Sequence, residues 1–498
     1  MSQNDSNARR LIKHSTIYAI GNISRQLIGF IMLPVYTRYL TPADYGVIGL
    51  LTFSVSLIEG VFGARLGQAM PKFYFEQDTQ RDRNAVISTA LIVTGGISTL
   101  MTAILFLTRG TSAELLFGTD RYAAVLGLFC FSILINALES QSLVYLQIQG
   151  LPKLFVTINL VKLATQFAFN IFFVVYLKWG VTGIAISSIS SSGIFAICLS
   201  VFSFVRAGVR YDFPLARRMI VFSWPLWVAG IASLYINSAG RYYIRIFSSL
   251  ADVGLYELAA KFGGILTLLI AQPFSRFWDT ERFNHYRKSN NAEIFRGVFQ
   301  VYATLLALTA LAISLFSEPV VRIMAGPEFH DAYRAVPFIA LSALVHCLTD
   351  YCNFSFLVTG KTAWITKNFF ATAVLITVLY LVFTPLLGFV GASIALLVAE
   401  VGQFLYMQRE ARKLFDMQIQ LAPLAATLGI AAAAYVVGGV ILRQQNLMFD
   451  IGVKSATYLV FSGLLIVNVT RSLGSTSLLR NAALPLVGKL PILKLLFR

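Results

Sequence analysis

The chain has 498 residues, of which 57% are hydrophobic and only 13% charged, and its mean hydropathy is +0.72. Soluble domains carry roughly 25% charged residues, so this composition excludes an ordinary soluble enzyme or binding domain and places most of the chain in lipid. The formal charge of +17 falls mainly in the loops, which reads as membrane topology rather than as nucleic-acid binding.

A membrane-spanning helix needs about 20 mainly apolar residues. Fourteen stretches qualify, near 15–38, 44–71, 85–107, 122–148, 154–177, 181–205, 217–244, 253–278, 295–316, 334–358, 362–384, 388–408, 419–442 and 453–471. Each is predicted helical, because only a helix satisfies its own backbone in hydrocarbon. The first run is too long for a cleavable signal peptide. With the N-terminus inside, the inner segments hold well over half of the 40 Lys and Arg residues and the outer loops under a quarter. Both termini are therefore expected in the cytoplasm, and the longest outer loop is expected over about 317–333. The tail ends in LPLVGKLPILKLLFR, basic and apolar, as expected of a segment lying on the inner leaflet. Cys130, Cys198, Cys347 and Cys352 sit in apolar stretches without metal spacing and read as small core residues.

The sequence ADYG at 43–46 returns as ADVG at 251–254, an offset of 208. Gly180 and Gly183 of KWGVTGIAI match Gly388 and Gly391 of LLGFVGASI at the same offset, and Gly150 of QGLPK matches Gly360 of TGKT at 210. One such turn is weak, since glycine marks turns everywhere; the shared spacing carries the reading. It predicts an all-α integral membrane protein of about 14 transmembrane helices, with two pseudo-symmetric six-helix lobes, 1–205 and 217–410. A cytoplasmic link, 206–216, joins them. Two additional transmembrane helices lie within 411–471, and a basic amphipathic tail occupies 472–498. Six spans per lobe is an even number, so both copies enter the membrane in one sense, about a pseudo-two-fold along its normal.

Several motifs resemble a known family. LPVYTRYLTPADYGVIGL is similar to the first-hairpin signature of oligosaccharide-lipid (Wzx-type) flippases, polysaccharide biosynthesis proteins of the multidrug/oligosaccharidyl-lipid/polysaccharide (MOP) exporter superfamily. FSWPLWVAGIASLYINSAGRYYI, followed by SSLADVGLYELAAKF, looks like the start of the second lobe in that family. The resemblance covers nearly the whole chain and concerns scaffold rather than substrate. It implies a central cavity lined by the first two spans of each lobe, with cationic residues handling an anionic lipid-linked glycan.

Ionisable residues inside lipid are costly unless they face a cavity or a partner. The first lobe carries Arg25, Glu59, Arg65, Glu139 and Lys162 within spans; the second carries Arg241, Glu257, Lys261, Asp350, Lys367 and Glu400. The last two spans are read as charge-free. Arg25, Arg65, Arg241 and Lys261 are the candidate ligands for a diphosphate, which Arg binds through paired N–H donors. Glu59, Glu139, Asp350, His346 and Glu400 are candidates for ion coupling or for pairing with those cations. His346 and Asp350 share a helix face and could relay protons or form a buried structural pair. Glu257 and Lys261 have the spacing of an intrahelical pair, and Arg276, Asp279, Glu281 and Arg282 read as an inner helix end.

LVTGKT lacks the glycine a phosphate loop needs, because position 355 is Ser. Neither HExxH nor GxSxG occurs, so no catalytic residue, cofactor or metal is expected. The expected function is flipping of a polyprenyl-diphosphate-linked oligosaccharide across a bacterial inner membrane by alternating access, in a pathway that would also include glycosyltransferases and a polymerase. The alternatives are a cation-coupled drug antiporter of the same superfamily and a membrane polysaccharide polymerase.

Overall fold

The computed structural model describes residue 30 and residues 32–62, 66–286 and 291–473. The first predicted span up to residue 29 and the tail from 474 lie outside these residues, as do Arg25 and Arg65. The described residues are helical and contain no strand. Eleven of their helices are long and apolar enough to cross a membrane, and the chain divides into two compact units, the first ending at Glu257 and the second beginning at Leu258.

The first unit comprises α1 (Leu33–Tyr39), α2 (Pro42–Phe62), α3 (Ala69–Phe75), α4 (Gln80–Leu107), α5 (Arg109–Phe117), α6 (Ala123–Phe129), α7 (Phe131–Ile148), α8 (Pro152–Asn170), α9 (Gly180–Ala207), α10 (Phe213–Ser238), α11 (Gly240–Phe247) and the start of α12 (Leu250–Leu266). Its core includes Leu66, Met70, Phe73, Val86, Leu91, Tyr145 and Met219. The predicted link 206–216 is strapped to α4: Arg210 N–H donates to Ser88 Oγ at 2.7 Å and Asp212 N–H to Thr89 Oγ1 at 3.2 Å. Asp212 in turn caps α10 by accepting from Leu215 N–H at 2.9 Å.

The repeated ADYG and ADVG have a local physical cause. Thr41 accepts from Asp44 N–H at 3.2 Å, and Asp44 accepts from Thr41 N–H at 3.1 Å, a reciprocal capping box that starts α2. At the start of α12, Ser249 likewise accepts from Asp252 N–H at 3.1 Å. Gly46 and Gly254 then face each other across a close α2–α12 crossing. A Cβ on Gly46 would overlap the Leu250 carbonyl, and a Cβ on Gly254 would overlap the Pro42 carbonyl. The contact is reciprocal, and every pair of positions in it differs by 208. The same offset relates the turn glycines Gly180 and Gly388, whose φ angles are +54° and +56°, a left-handed conformation in which a side chain is strained.

The second unit holds the rest of α12, then α13 (Gln272–Tyr286), α14 (Asn291–Met324), α15 (Val336–Cys352), α16 (Phe354–Val358), α17 (Ala363–Leu414), α18 (Leu421–Tyr435) and α19 (Leu447–Leu473). Trp278, Phe295, Phe299, Tyr302, Tyr351, Phe354 and Phe404 fill its core. The 52 residues of α17 cover the predicted eleventh and twelfth spans. Gly388 breaks the helix with φ 56° and ψ −135°, three residues after Pro385. The ninth span is longer than expected: α14 runs to Met324, so Ser317 is buried helix rather than outer loop.

One sequence reading is corrected outright. The last span is not charge-free: Lys454 on α19 is 1% exposed, and its Nζ lies 2.6 Å from Asp450 and 3.2 Å from Glu318 on α14. Glu318 also bonds Arg322 and Arg443 at 2.8 and 2.5 Å. A lysine this deep is tolerated only beside such carboxylates. Lys454→Met is expected to leave the buried Asp450 without a cation and to cost about 3–5 kcal/mol of stability. Combining it with Asp450→Asn should restore more than half of the lost melting temperature in detergent. A single variant that melts like the parent would show that the cluster does not hold α19 to α14.

Candidate functional site

The described candidate residues resolve into a few buried polar groupings. In the first unit, Arg241 lies one residue into α11 and bonds Glu257 on α12, their side chains being 17% and 16% exposed. Arg241 also donates to the carbonyls of Asn237 and Ser238 at 3.3 and 3.4 Å, which ties it to the end of α10. Sequence spacing offers Lys261 as the partner of Glu257; the fold brings Arg241 to it from another helix. Lys261 follows one turn along α12 and is partly buried.

Deeper in the same unit, Lys162 on α8 places Nζ 2.6 Å from both oxygens of Glu139 on α7. Glu59 on α2 accepts from Asn136 on α7 at 3.1 Å. Asn136 precedes Glu139 by three residues, so α7 turns one polar face toward α2 and α8. The sequence offers these carboxylates as partners for Arg25 and Arg65, whose own placement lies outside the described residues.

The second unit joins three candidates that the sequence puts on two separate spans. His346 Nδ1 lies 3.2 Å from Glu400 on α17, and His346 Nε2 lies 3.8 Å from Asp350 one turn away on α15. The Glu400 side chain is 2% exposed and that of Asp350 58%. Asp350 opens into a cavity of about 230 Å³, lined among others by Trp278, Asp279, Arg282, Tyr302 and Asn353. Arg282 bonds Asp279 at 3.0 Å. Burial lowers the Arg282 guanidinium from its ordinary value, with Asp279 acting the other way. Sequence reading assigns Asp279 and Arg282 to a mere helix end. Their i, i+3 spacing beside Trp278 was the available signal, yet it also fits any amphipathic helix terminus. No group of three or more His, Cys, Asp or Glu suited to a metal ion occurs among the described residues.

These groupings are charge pairs carried into lipid-facing bundles, with one of them open to a polar cavity. Comparison with solved structures bears on the fold. The chain matches a structure described as lipid II flippase MurJ, inward closed conformation, with a TM-score of 0.72, 13% identity, and coverage of 91% of this chain and 99% of that one. It matches an inward-facing multidrug resistance MATE family transporter of the MOP superfamily with a TM-score of 0.61, 14% identity, and coverage of 78% and 95%. A structure of the MATE multidrug transporter DinF-BH matches with a TM-score of 0.56, 14% identity, and coverage of 82% and 96%. At such identities the likeness is one of fold. A comparison with curated protein sequences gave no match. A family model described as polysaccharide biosynthesis protein matches residues 35–334. That span is more than half of the chain, and on it this multi-pass membrane protein, with its MurJ- and MATE-like fold, belongs to the polysaccharide biosynthesis protein family.

Proposed function

We propose that the protein flips a polyprenyl-diphosphate-linked oligosaccharide from the inner to the outer leaflet of a bacterial inner membrane, for polysaccharide export. The observation that carries this reading is the pairing of family and fold: a polysaccharide biosynthesis family match on a fold that aligns with a lipid II flippase over 91% of the chain. Cargo of that kind has a sugar that must avoid lipid and a diphosphate that needs cations. Arg25, Arg65, Arg241 and Lys261 are assigned to the diphosphate. Glu257 holds Arg241 in place.

The two sequence repeats act as rocking halves in alternating access. The reciprocal Gly46–Gly254 crossing and the matched left-handed Gly180 and Gly388 support descent from one duplicated unit. A drug antiporter is the second reading, favoured by the likeness to multidrug transporters; the family match and the excess of cations among the candidate ligands favour the glycan.

Orientation is tested by single cysteines. With both termini cytoplasmic, a cysteine at Gln418 should react only with reagent supplied from the inside. One at Glu328, which is exposed beyond the end of α14, should react only from the outside. Reversed reactivity would overturn the topology.

Arg25→Ala is expected to abolish export of the lipid-linked glycan while membrane abundance stays normal. Arg25→Lys should retain part of the export, since charge survives without the planar paired donors. Export at the parental level by an abundant Arg25→Ala protein would remove this residue as a phosphate ligand.

A further inference from the structure

The imidazole of His346 is bracketed by carboxylates on two helices, and the two sides differ in their access to water. On one side Asp350 is 58% exposed and opens into the 230 Å³ cavity; on the other Glu400 is 2% exposed. Asp350 Oδ1 is occupied by Asn353 Nδ2 at 3.2 Å, which leaves Oδ2 for His346 Nε2 at 3.8 Å. Behind Glu400, one turn along α17, Gln403 is 2% exposed and its Oε1 has no partner among the described residues. The series therefore runs from an open cavity, through one carboxylate and one imidazole, to a dry carboxylate where it ends.

We infer that Asp350, His346 and Glu400 form a proton-binding relay, and that the ion driving the transport cycle is H⁺ rather than Na⁺. This rests on the transporter reading above. In the unloaded state the neutral ring donates Nδ1–H to Glu400 and presents the Nε2 lone pair to Asp350. A proton from the cavity binds Asp350 Oδ2 and passes to Nε2 once the two side chains close from 3.8 Å to hydrogen-bond distance. Asp350 returns to carboxylate and the ring becomes imidazolium, with Nδ1–H still on Glu400. One N–H bond forms, one O–H bond breaks, and the net change is a single bound proton.

Sodium fits this place poorly. Hard cations take cages of several oxygens, whereas here ring nitrogens occupy the gap between the carboxylates. The other polar groups around the relay are Cys347 on α15, Tyr302 on α14, and Asp279 and Arg282 on α13, the last two already bonded to each other. Loading also has a mechanical consequence. His346 and Glu400 lie on α15 and on the part of α17 beyond the Gly388 break. Protonation turns a hydrogen bond across that seam into an ion pair in a dry setting, where it is stronger than in water. Release weakens the seam again, giving a two-state element that a proton can bias.

The test needs no glycan. Trp278 stacks on Tyr351 with ring centroids 6.0 Å apart and 7° between planes, and it lines the same cavity as Asp350. Its fluorescence, isolated by subtracting a Trp278→Phe protein, is followed on the purified full chain in detergent from about pH 5 to about pH 10, because flanking carboxylates raise the titration of an imidazole. The expected result is one titration, the same in NaCl and KCl, lost in His346→Gln and displaced in Asp350→Asn. The melting temperature of each variant is recorded alongside. Asp350 is exposed, so its variant remains informative even where Glu400→Gln fails to fold. A flat profile, a titration that survives in His346→Gln, or a response to Na⁺ at fixed pH would each overturn the inference. Transport of a labelled polyprenyl-diphosphate glycan is then measured in vesicles with an imposed pH or sodium gradient. A titrating protein that moves no glycan under any condition would refute the flippase reading and leave the relay standing. Transport driven by the sodium gradient but not by the pH gradient would refute the relay alone.

Discussion

Hydrocarbon gives a charged side chain no water to fall back on, and this constraint orders the structure. Each ionisable group that a helix carries inward must meet a cavity or a partner, and the partner usually comes from another helix. The observed pairs follow that rule. Glu139 of α7 holds Lys162 of α8, Glu257 of α12 holds Arg241 of α11, Glu400 of α17 holds His346 of α15, and Glu318 of α14 holds Lys454 of α19. Each pair fixes which helices are neighbours. This matters in a membrane, because apolar helix faces do not distinguish one another from lipid.

The fold was legible where local chemistry repeats. The caps at Thr41 and Ser249, each accepting the N–H of the Asp three residues on, and the facing glycines Gly46 and Gly254 explain why ADYG and ADVG look alike. Glycine is needed two residues after the Asp for the close crossing. Hydropathy placed the long helices well, since the length of a span is set by the bilayer. It misplaced the C-terminal end of α14, because a helix can outrun the membrane without changing its composition. The turn expected between the eleventh and twelfth spans falls at Gly388, which leaves helical geometry three residues after Pro385 within α17.

The candidate site was legible as a set of residues but not as a set of pairs. Glu257 and Lys261 have the spacing of an intrahelical bridge, and spacing says nothing of a third residue arriving from outside. Arg241 is such a residue. Glu400 is 54 positions from His346, beyond any periodicity argument. Lys454 was overlooked because it stands at the very start of its predicted span, where a lysine is ordinarily assumed to reach water. In the fold it is shut in by Glu318 and Asp450, and the last helix is thereby tied to the second unit.

The pairs also divide by what they are able to do. Glu139 with Lys162, and Lys454 with Asp450 and Glu318, have charges matched at short distance, and losing Lys162 or Lys454 leaves Glu139 or Asp450 without its cation. Such groups hold helices together. His346 differs. Its longer contact, to Asp350, leads to a carboxylate more than half exposed in a polar cavity, and its shorter contact leads to one that is sealed. On the alternating-access reading proposed above, the protein needs some charges that never change and at least one that does. The matched pairs preserve each helical unit as a body, while the open one lets the surroundings set the charge at the α15–α17 seam. On that proposal stability and switching fall to different ion pairs, and the switching one is the pair that opens into the cavity.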